Sequence, residues 1–262
     1  MLTSLQNPLV KQIRKLHTAK ERREQQMFLL EGTHLLEEAI AVDYPLVTVC
    51  CTLEWQERHP QLWNSICQRS PRTELVSPEV LKALATTIQP DGVVATAPRV
   101  SNRAQSLPAT GLGLVLETIQ DPGNLGTMIR TAAASGVDWL CLSADSVDLD
   151  NPKVLRASAG QWFRLPMSVS SDLIADISQC RKQGMQVVAT VPTATLTYWE
   201  VDLRRPTLIL MGNEGAGLSD NLSVMADVQV KIPLSPGVES LNVAVAAALM
   251  LYEAQRQKSF SH

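Results

Sequence analysis

The residues of this 262-residue chain best suited to chemistry gather in three short stretches of its second half. The first, ETIQDPGNLGTMIR, sets Asp121, Pro122 and Asn124 where an apolar run gives way to a helical pattern, with Arg130 almost two turns further on. The second, LMGNEGAGLSD, places Gly212, Gly215 and Gly217 around Asn213 and Glu214, directly after the apolar run Leu208 to Met211. The third, KIPLSPGVESLN, passes through a Ser-Pro-Gly turn into Ser240, Leu241 and Asn242, ahead of an Ala-rich run. Glycines at a strand end mean that backbone approaches something closely or turns with positive φ. Their order here, G-x-x-G-x-G, is not the dinucleotide fingerprint, which also follows the first strand of its domain. No G-K-[ST] follows, which excludes a phosphate-cradling P-loop. Glu214 inside the loop would repel a closely bound phosphate, so a neutral or cationic guest suits it better. Taken singly, the first stretch also reads as a capped surface helix and the third as a core helix.

These stretches need a scaffold, and the flanking patterns supply one. From residue 111 onward, GLVLET, WLCLSA, QVVATV, TLILMG and VQVKIPL read as strands. They alternate with helical runs at NLGTMIRTAAASG, at NPKVLRASAG (Asn151 as cap, Pro152 at its first position) and at SLNVAVAAALMLYEAQRQ. Strands alternating with helices predict a mostly parallel sheet covered on both faces. A smaller alternating run precedes it. Leu5, Leu9, Ile13 and Leu16 recur at helical spacing, predicting one amphipathic helix over 4–25. MFLLEG, LVTVCCT and GVVATA read as strands, THLLEEAIAV as a helix capped by Thr33, and SPEVLKALA as a helix capped by Ser77. The aperiodic PRVSNRAQSLPATG is the expected linker. The expected division is therefore 1–100, a linker at 101–110, and 111–262.

The first thirty residues hold Lys11, Arg14, Lys15, Lys20, Arg22 and Arg23 against Glu21 and Glu24, in a chain whose net charge is −3. This asymmetry suggests a local basic surface for a polyanion, with Arg14, Lys15, Arg22 and Arg23 as candidate contacts to it. A solvated amphipathic helix would carry the same charges. Five cysteines with no C-x-x-C spacing read as thiols in a reducing cytoplasm. His17, His34, His59 and His262 lie outside the three stretches at spacings that suggest no metal site. No apolar run reaches the roughly 18 residues of a membrane span.

In this order, the three stretches strongly resemble the three motifs of the SpoU (TrmH-like) branch of the SPOUT RNA methyltransferases, over residues 113–257. NPKVLRASAG and WFRLP are similar to that family too. NPLVKQIRKLHTAKERREQQMFLLEGTHLLEEAI, with DGVVA near residue 92, resembles the RNA substrate-binding domain often attached to it. Ala244 departs from the commonest pattern, which has serine after SLNV.

The resemblance implies an α/β fold: a C-terminal SPOUT domain with a parallel sheet and a deep trefoil knot, plus a small N-terminal α/β domain akin to kink-turn-binding ribosomal proteins. It implies S-adenosylmethionine as methyl donor, whose cationic sulfonium removes the objection raised by Glu214. Gly212, Ile232 and Leu241 correspond to its contacts, with Thr190, Met211, Asn213, Pro233 and Leu234 lining the same pocket. It implies methylation of a ribose 2′-hydroxyl in RNA, with Asn124, Arg130, Glu214, Ser240 and Asn242 as the catalytic positions, no metal, and a homodimer sharing its active sites. Arg130 is the family's candidate base, but a guanidinium has a pKa above about 12 and no acceptor site, so a clamp on phosphate and alkoxide suits it better. The separate N-terminal domain favours ribosomal over transfer RNA. A non-catalytic RNA-binding assembly factor and an ordinary doubly wound nucleotide enzyme are the rival readings.

Overall fold

The computed structural model describes residues 1–99, 108 and 110–259. The chain divides into two units, one of Met1–Ser101 with Asp148–Phe163, the other of Asn102–Val147 with Arg164–His262. The expected linker at 101–110 lies almost wholly outside the described residues.

The first unit runs α1 (Pro8–Lys15), α2 (Ala19–Gln25), β1 (Met27–Glu31), α3 (Thr33–Ala41), β2 (Thr48–Cys51), α4 (Leu53–Arg58), α5 (Pro60–Arg69), β3 (Arg72–Leu75), α6 (Pro78–Leu84) and β4 (Val93–Pro98). Its sheet has the order β1-β4-β2-β3, parallel only between β2 and β3. Alternation along each strand divides the core. Phe28, Leu30, Val49, Cys51, Val93 and Ala95 pack on the side of Leu36 and Ile66, while Leu29, Cys50 and Val94 meet Ile13, Val80 and Leu84.

Three details differ from the sequence reading. The helix expected over 4–25 is two helices, because Thr18 takes an extended conformation and its hydroxyl caps α2. Thr33 does not cap α3: the cap position is Gly32, at φ +102, and the Thr33 amide and hydroxyl both donate to Asp91. Helices α4 and α5 are elements that the sequence reading did not assign.

The segment 148–163 also packs in this first unit, although its sequence belongs to the run beyond residue 111. It contains α8 (Pro152–Ala157) and a single 3-10 turn at Gln161–Phe163. Leu155, Trp162 and Phe163 join the core beside Phe28 and Tyr44. Arg156 reaches the buried Glu31 at 2.8 Å, and the buried Arg22 reaches Asp148 at 3.1 Å and Asp150 at 3.4 Å.

The second unit runs β5 (Leu112–Leu116), α7 (Pro122–Ala134), β6 (Trp139–Ser143), β7 (Met167–Ser170), α9 (Leu173–Lys182), β8 (Gln186–Thr190), β9 (Leu196–Thr197), β10 (Thr207–Met211), α10 (Asp220–Ser223), β11 (Val228–Lys231) and α11 (Val243–Ser259). Its strands form one sheet in the order β7-β6-β5-β10-β8-β11-β9, parallel throughout. β10 lies between β5 and β8, both of which precede it in the chain. Leu173, Ile177 and Leu222 cover Trp139, Cys141, Val187 and Leu208 on one face. The alternate residues Leu114, Leu140, Val188 and Ile209 are equally buried, and α7 and α11 pack together with α11 also against β10. Burial on both faces makes these strands continuously apolar, which is why the sequence showed them as runs. No helix among the described residues is long and apolar enough to cross a membrane.

Candidate active site

Parallel strands present their carboxyl ends at one edge, where open α/β sheets bind ligands. β5, β10, β8 and β11 are consecutive in the sheet and end at Leu116, Met211, Thr190 and Lys231. The segments that follow them, including the Asn124 turn, the GNEGAG loop and Ile232 to Leu234, therefore leave from the same edge.

Helix α7 starts as its sequence dictates. Pro122 occupies the first turn and the Asp121 carboxylate accepts from the Asn124 amide at 2.9 Å. This turn meets the glycine loop at Glu214. Glu214 Oε1 accepts from the Asp121 amide at 3.2 Å and from Asn124 Nδ2 at 3.2 Å. Oε2 accepts from the Gln120 amide at 3.4 Å and from Asn213 Nδ2 at 3.3 Å. The third stretch joins through Asn242, whose Nδ2 donates to Asn124 Oδ1 at 2.9 Å and whose Oδ1 caps α11 by accepting from the Ala244 amide at 2.9 Å. Asn242, Asn124 and Glu214 thus form one chain of hydrogen bonds across the three stretches. Partial burial pushes the Glu214 carboxyl up, but the bonds it accepts from its own backbone, Asn124, Asp121 and Gln120 outweigh this and hold it below its ordinary value. Glu214 is a standing negative charge at neutral pH.

The glycine loop closes on itself. The Asn213 amide donates to the Gly217 carbonyl at 2.9 Å, and the Gly217 amide donates back at 3.0 Å. Asn213 Oδ1 accepts from the amides of Gly215 and Ala216, and Asn213 Nδ2 donates to the Thr118 carbonyl at 2.7 Å. A Cβ on Gly212 would lie 2.1 Å from the Gly217 carbonyl carbon and from the Leu218 nitrogen. Gly212 is therefore required by the loop's own backbone, and Asn213 is the loop's anchor. Glu117, at the end of β5, fastens the loop's far side by accepting from the Ser219 hydroxyl at 2.7 Å and amide at 2.8 Å. Sequence reasoning missed Glu117, since nothing in a spacing of 102 residues links it to Ser219.

The positions expected to hold a cofactor line the neighbouring strand ends. Met211 and Gly212 are buried, Ile232 and Leu241 half-buried, and Pro233 and Leu234 exposed. Thr190 Oγ1 is buried without a hydrogen-bond partner. An orphaned buried hydroxyl is costly unless something bonds to it, so this strand end suits a ligand with a polar edge.

Two expected positions stand apart from the chain of hydrogen bonds. Ser240 is exposed. Arg130 is exposed too, and six helical residues put it about 9 Å along α7 and roughly 120° around it from Asn124. The basic set also needs correction. Arg14 and Lys15 are exposed on α1 beside Lys11. Arg22, however, is 2% exposed and held by Asp148, Asp150 and the carbonyls of Leu16 and His17, so it cannot meet a phosphate. Arg23 keeps an exposed stem but donates to Asp148 at 2.6 Å.

Residues 111–252 match the SpoU rRNA Methylase family, and residues 7–95 match the MRM3-like substrate binding domain. The chain is 50% identical over 257 residues, 98% of its own length and 94% of the relative's, to an uncharacterized tRNA/rRNA methyltransferase, slr1673, of Synechocystis. It is 34% identical over 252 residues, 96% and 97% of the two lengths, to the 23S rRNA (guanosine(2553)-2′-O)-methyltransferase RlmP of Bacillus subtilis. The crystal structure of the SpoU methyltransferase AviRb from Streptomyces viridochromogenes, in complex with the cofactor AdoMet, superposes with a TM-score of 0.87 at 27% identity, covering 98% of this chain and 100% of that one. Matching more than half of its length to the family, and nearly all of it to these relatives, the chain belongs to the SpoU rRNA methylase family.

Proposed function

We propose that this protein transfers the methyl group of S-adenosylmethionine to a ribose 2′-hydroxyl of 23S ribosomal RNA. The observation that carries the reading is the Asn242–Asn124–Glu214 chain, standing at the same sheet edge as the orphaned Thr190 hydroxyl. Bound S-adenosylmethionine supplies an electrophilic methyl on a cationic sulfonium. Thr190, Met211, Gly212, Asn213, Ile232, Pro233, Leu234 and Leu241 would hold it, and the ionised Glu214 complements its charge. Asn124, Asn242 and Ser240 orient the attacking hydroxyl, which an in-line displacement requires. Relatives named as 23S rRNA 2′-O-methyltransferases and the AdoMet-bound AviRb support this reading. The deep knot belongs to the same proposal: β10 enters between two strands that precede it, as a threaded chain end would.

The working unit is a homodimer. Val245, Leu249 and Tyr252 form one stripe on α11 and are 49%, 36% and 50% exposed. With Tyr198 they line an apolar groove of about 390 Å³ that a second copy would cover. Arg130 lies on the solvent side of α7, the helix packed beside α11. In such a dimer it serves the partner's site, as a two-point clamp on phosphate and developing alkoxide. Residues 1–100 bring the RNA, through Lys11, Arg14 and Lys15 with help from Arg23, and 111–262 carry the chemistry. The setting is the cytoplasm, to which five free thiols are suited.

The test is methyl transfer from labelled S-adenosylmethionine to deproteinised 23S rRNA and to bulk tRNA, followed by nucleoside mass spectrometry. A 2′-O-methylnucleoside in 23S rRNA is the expected product. Transfer to tRNA alone would replace the substrate. Cofactor and RNA binding without any transfer would make the protein an RNA-binding assembly factor.

A further inference from the structure

The turn that presents two amides to Glu214 contains a backbone conformation its residue type disfavours. Thr118, the second residue after β5, sits at φ +55. A β-branched residue in the left-handed region crowds its Cβ against the backbone, and such a conformation persists only where the surroundings over-determine it. The surroundings here come from the end of β6. The Thr118 hydroxyl donates to Asp145 Oδ2 at 2.8 Å, and the Thr118 amide donates to the Ser143 hydroxyl at 2.7 Å. That hydroxyl donates in turn to Asp145 Oδ1. Gln120 Nε2 reaches the Asp145 carbonyl at 2.9 Å, and the Ile119 amide reaches the Ser146 hydroxyl at 3.0 Å. Every residue from Thr118 to Gln120 is thereby tied to the 143–146 turn.

The other side of this turn faces the candidate active site. The Thr118 carbonyl accepts from Asn213, and the Gln120 and Asp121 amides both donate to Glu214. We propose that Asp145 is a positioning residue for methyl transfer: by anchoring Thr118 in the left-handed region, it aligns the Gln120 and Asp121 amides on Glu214 and the Thr118 carbonyl on Asn213. Among the described residues, the hydrogen bonds of Asp145 go to Thr118, Ser143 and Gln120, which places its action in this turn. The two hydroxyls from Ser143 and Thr118 hold its carboxyl below the ordinary range, so it is an ionised double acceptor at working pH. Neither the motif resemblance nor the sequence spacing pointed to Asp145.

The proposal rests on the methyl-transfer reading, and its test keeps the two separable. Asp145→Ala and Thr118→Val each remove the side-chain anchor while leaving a β-branched residue, Thr or Val, at position 118. Both should lower the methyl-transfer rate at subsaturating S-adenosylmethionine by about ten- to hundredfold, the size of one released strained conformation, with cofactor Kd weakened in the same direction because Glu214 and Asn213 belong to the cofactor's site. Amides 117–121 should exchange faster with solvent in both variants, while the sheet strands stay protected. Glycine adopts the left-handed region without an anchor, so in a Thr118→Gly background the further change Asp145→Ala should cost no more than about threefold. Equal losses from Asp145→Ala in both backgrounds, or unchanged exchange at 117–121, would overturn the proposal. If the unaltered protein methylates no RNA, the methyl-transfer reading fails, and the exchange comparison still decides whether Asp145 holds the turn.

Discussion

Asn124 Nδ2 donates to Glu214 Oε1 at 3.2 Å, joining two residues 90 positions apart in the chain. Asn124 simultaneously accepts from Asn242, so the amide is a hinge pin between the strand-to-helix turn, the glycine loop and the start of α11. Replacing Glu214 by Gln removes the charge and turns one acceptor oxygen into an NH2 group that faces two N–H donors. Affinity for S-adenosylmethionine should then fall about tenfold or more in calorimetry, because a cation loses its counter-charge and the loop loses an acceptor, and the melting temperature should fall as well. Asn124→Ala should instead lower turnover more than affinity. Equal cofactor affinity in Glu214→Gln would move the sulfonium away from this carboxylate.

Gly212 answers to a different constraint. A methyl group there would meet the backbone of Gly217 and Leu218 at 2.1 Å, and backbone cannot step aside as a flexible side chain can. Gly212→Ala should therefore cost about 1–3 kcal/mol of stability as well as cofactor binding. Urea denaturation beside calorimetry checks both. A variant that loses binding at full stability would show that the glycine serves the ligand alone.

Arg130 should behave as a residue supplied in trans. Arg130→Ala and Asn124→Ala homodimers should each be nearly inactive in methyl transfer. Mixing and reassembling them creates heterodimers with one intact composite site, and activity should return toward about a quarter of the unaltered protein's. Absence of any recovery, with heterodimers verified by mass, would return Arg130 to its own subunit's site.

Arg22 and its neighbours on α1 should separate into structure and RNA binding. Arg22→Ala removes the buried guanidinium from Asp148 and Asp150, which keep Arg23 and Arg99 as partners, so it should cost stability but less than the about 3–5 kcal/mol of a fully broken buried pair. Neutralising Lys11, Arg14 and Lys15 together should leave stability nearly unchanged. It should flatten the log–log salt dependence of RNA binding by about 0.7–0.9 per lost phosphate contact. An unchanged salt slope would place the RNA on another surface.

The cysteines offer a check on burial. Desolvation pushes Cys50 and Cys51 up to about 12 and Cys141 up to about 11, and raises Cys180 as well. A raised pKa disfavours the reactive thiolate until the pH passes that value, so these four should resist thiol reagents at pH 8. Cys67 is exposed. The native protein should take up one label quickly and all five only when denatured, as counted by intact mass.

Much of the architecture was legible in the chain because the forces that set it are local. Pro122 after Asp121 and Pro152 after Asn151 mark helix starts, since a side-chain cap and a missing amide act within one turn. Runs such as Leu208 to Met211 mark strands buried on both faces. The three reactive stretches were visible as residue types in order, and their resemblance to the SpoU motifs named a cofactor and a substrate class. Tertiary structure decided the rest, because it depends on contacts between distant residues. Arg22 looks like any surface arginine of a basic helix until Asp148 and Asp150, more than 120 positions away, enclose it. Thr33 looks like a helix cap until Asp91 claims its hydroxyl. Residues 148–163 read as part of the second alternating run, yet Leu155 and Trp162 complete the first unit's core. Glu117 and Asp145 carry no signal of their own, since each acts by closing a loop that only the parallel sheet brings within hydrogen-bond range.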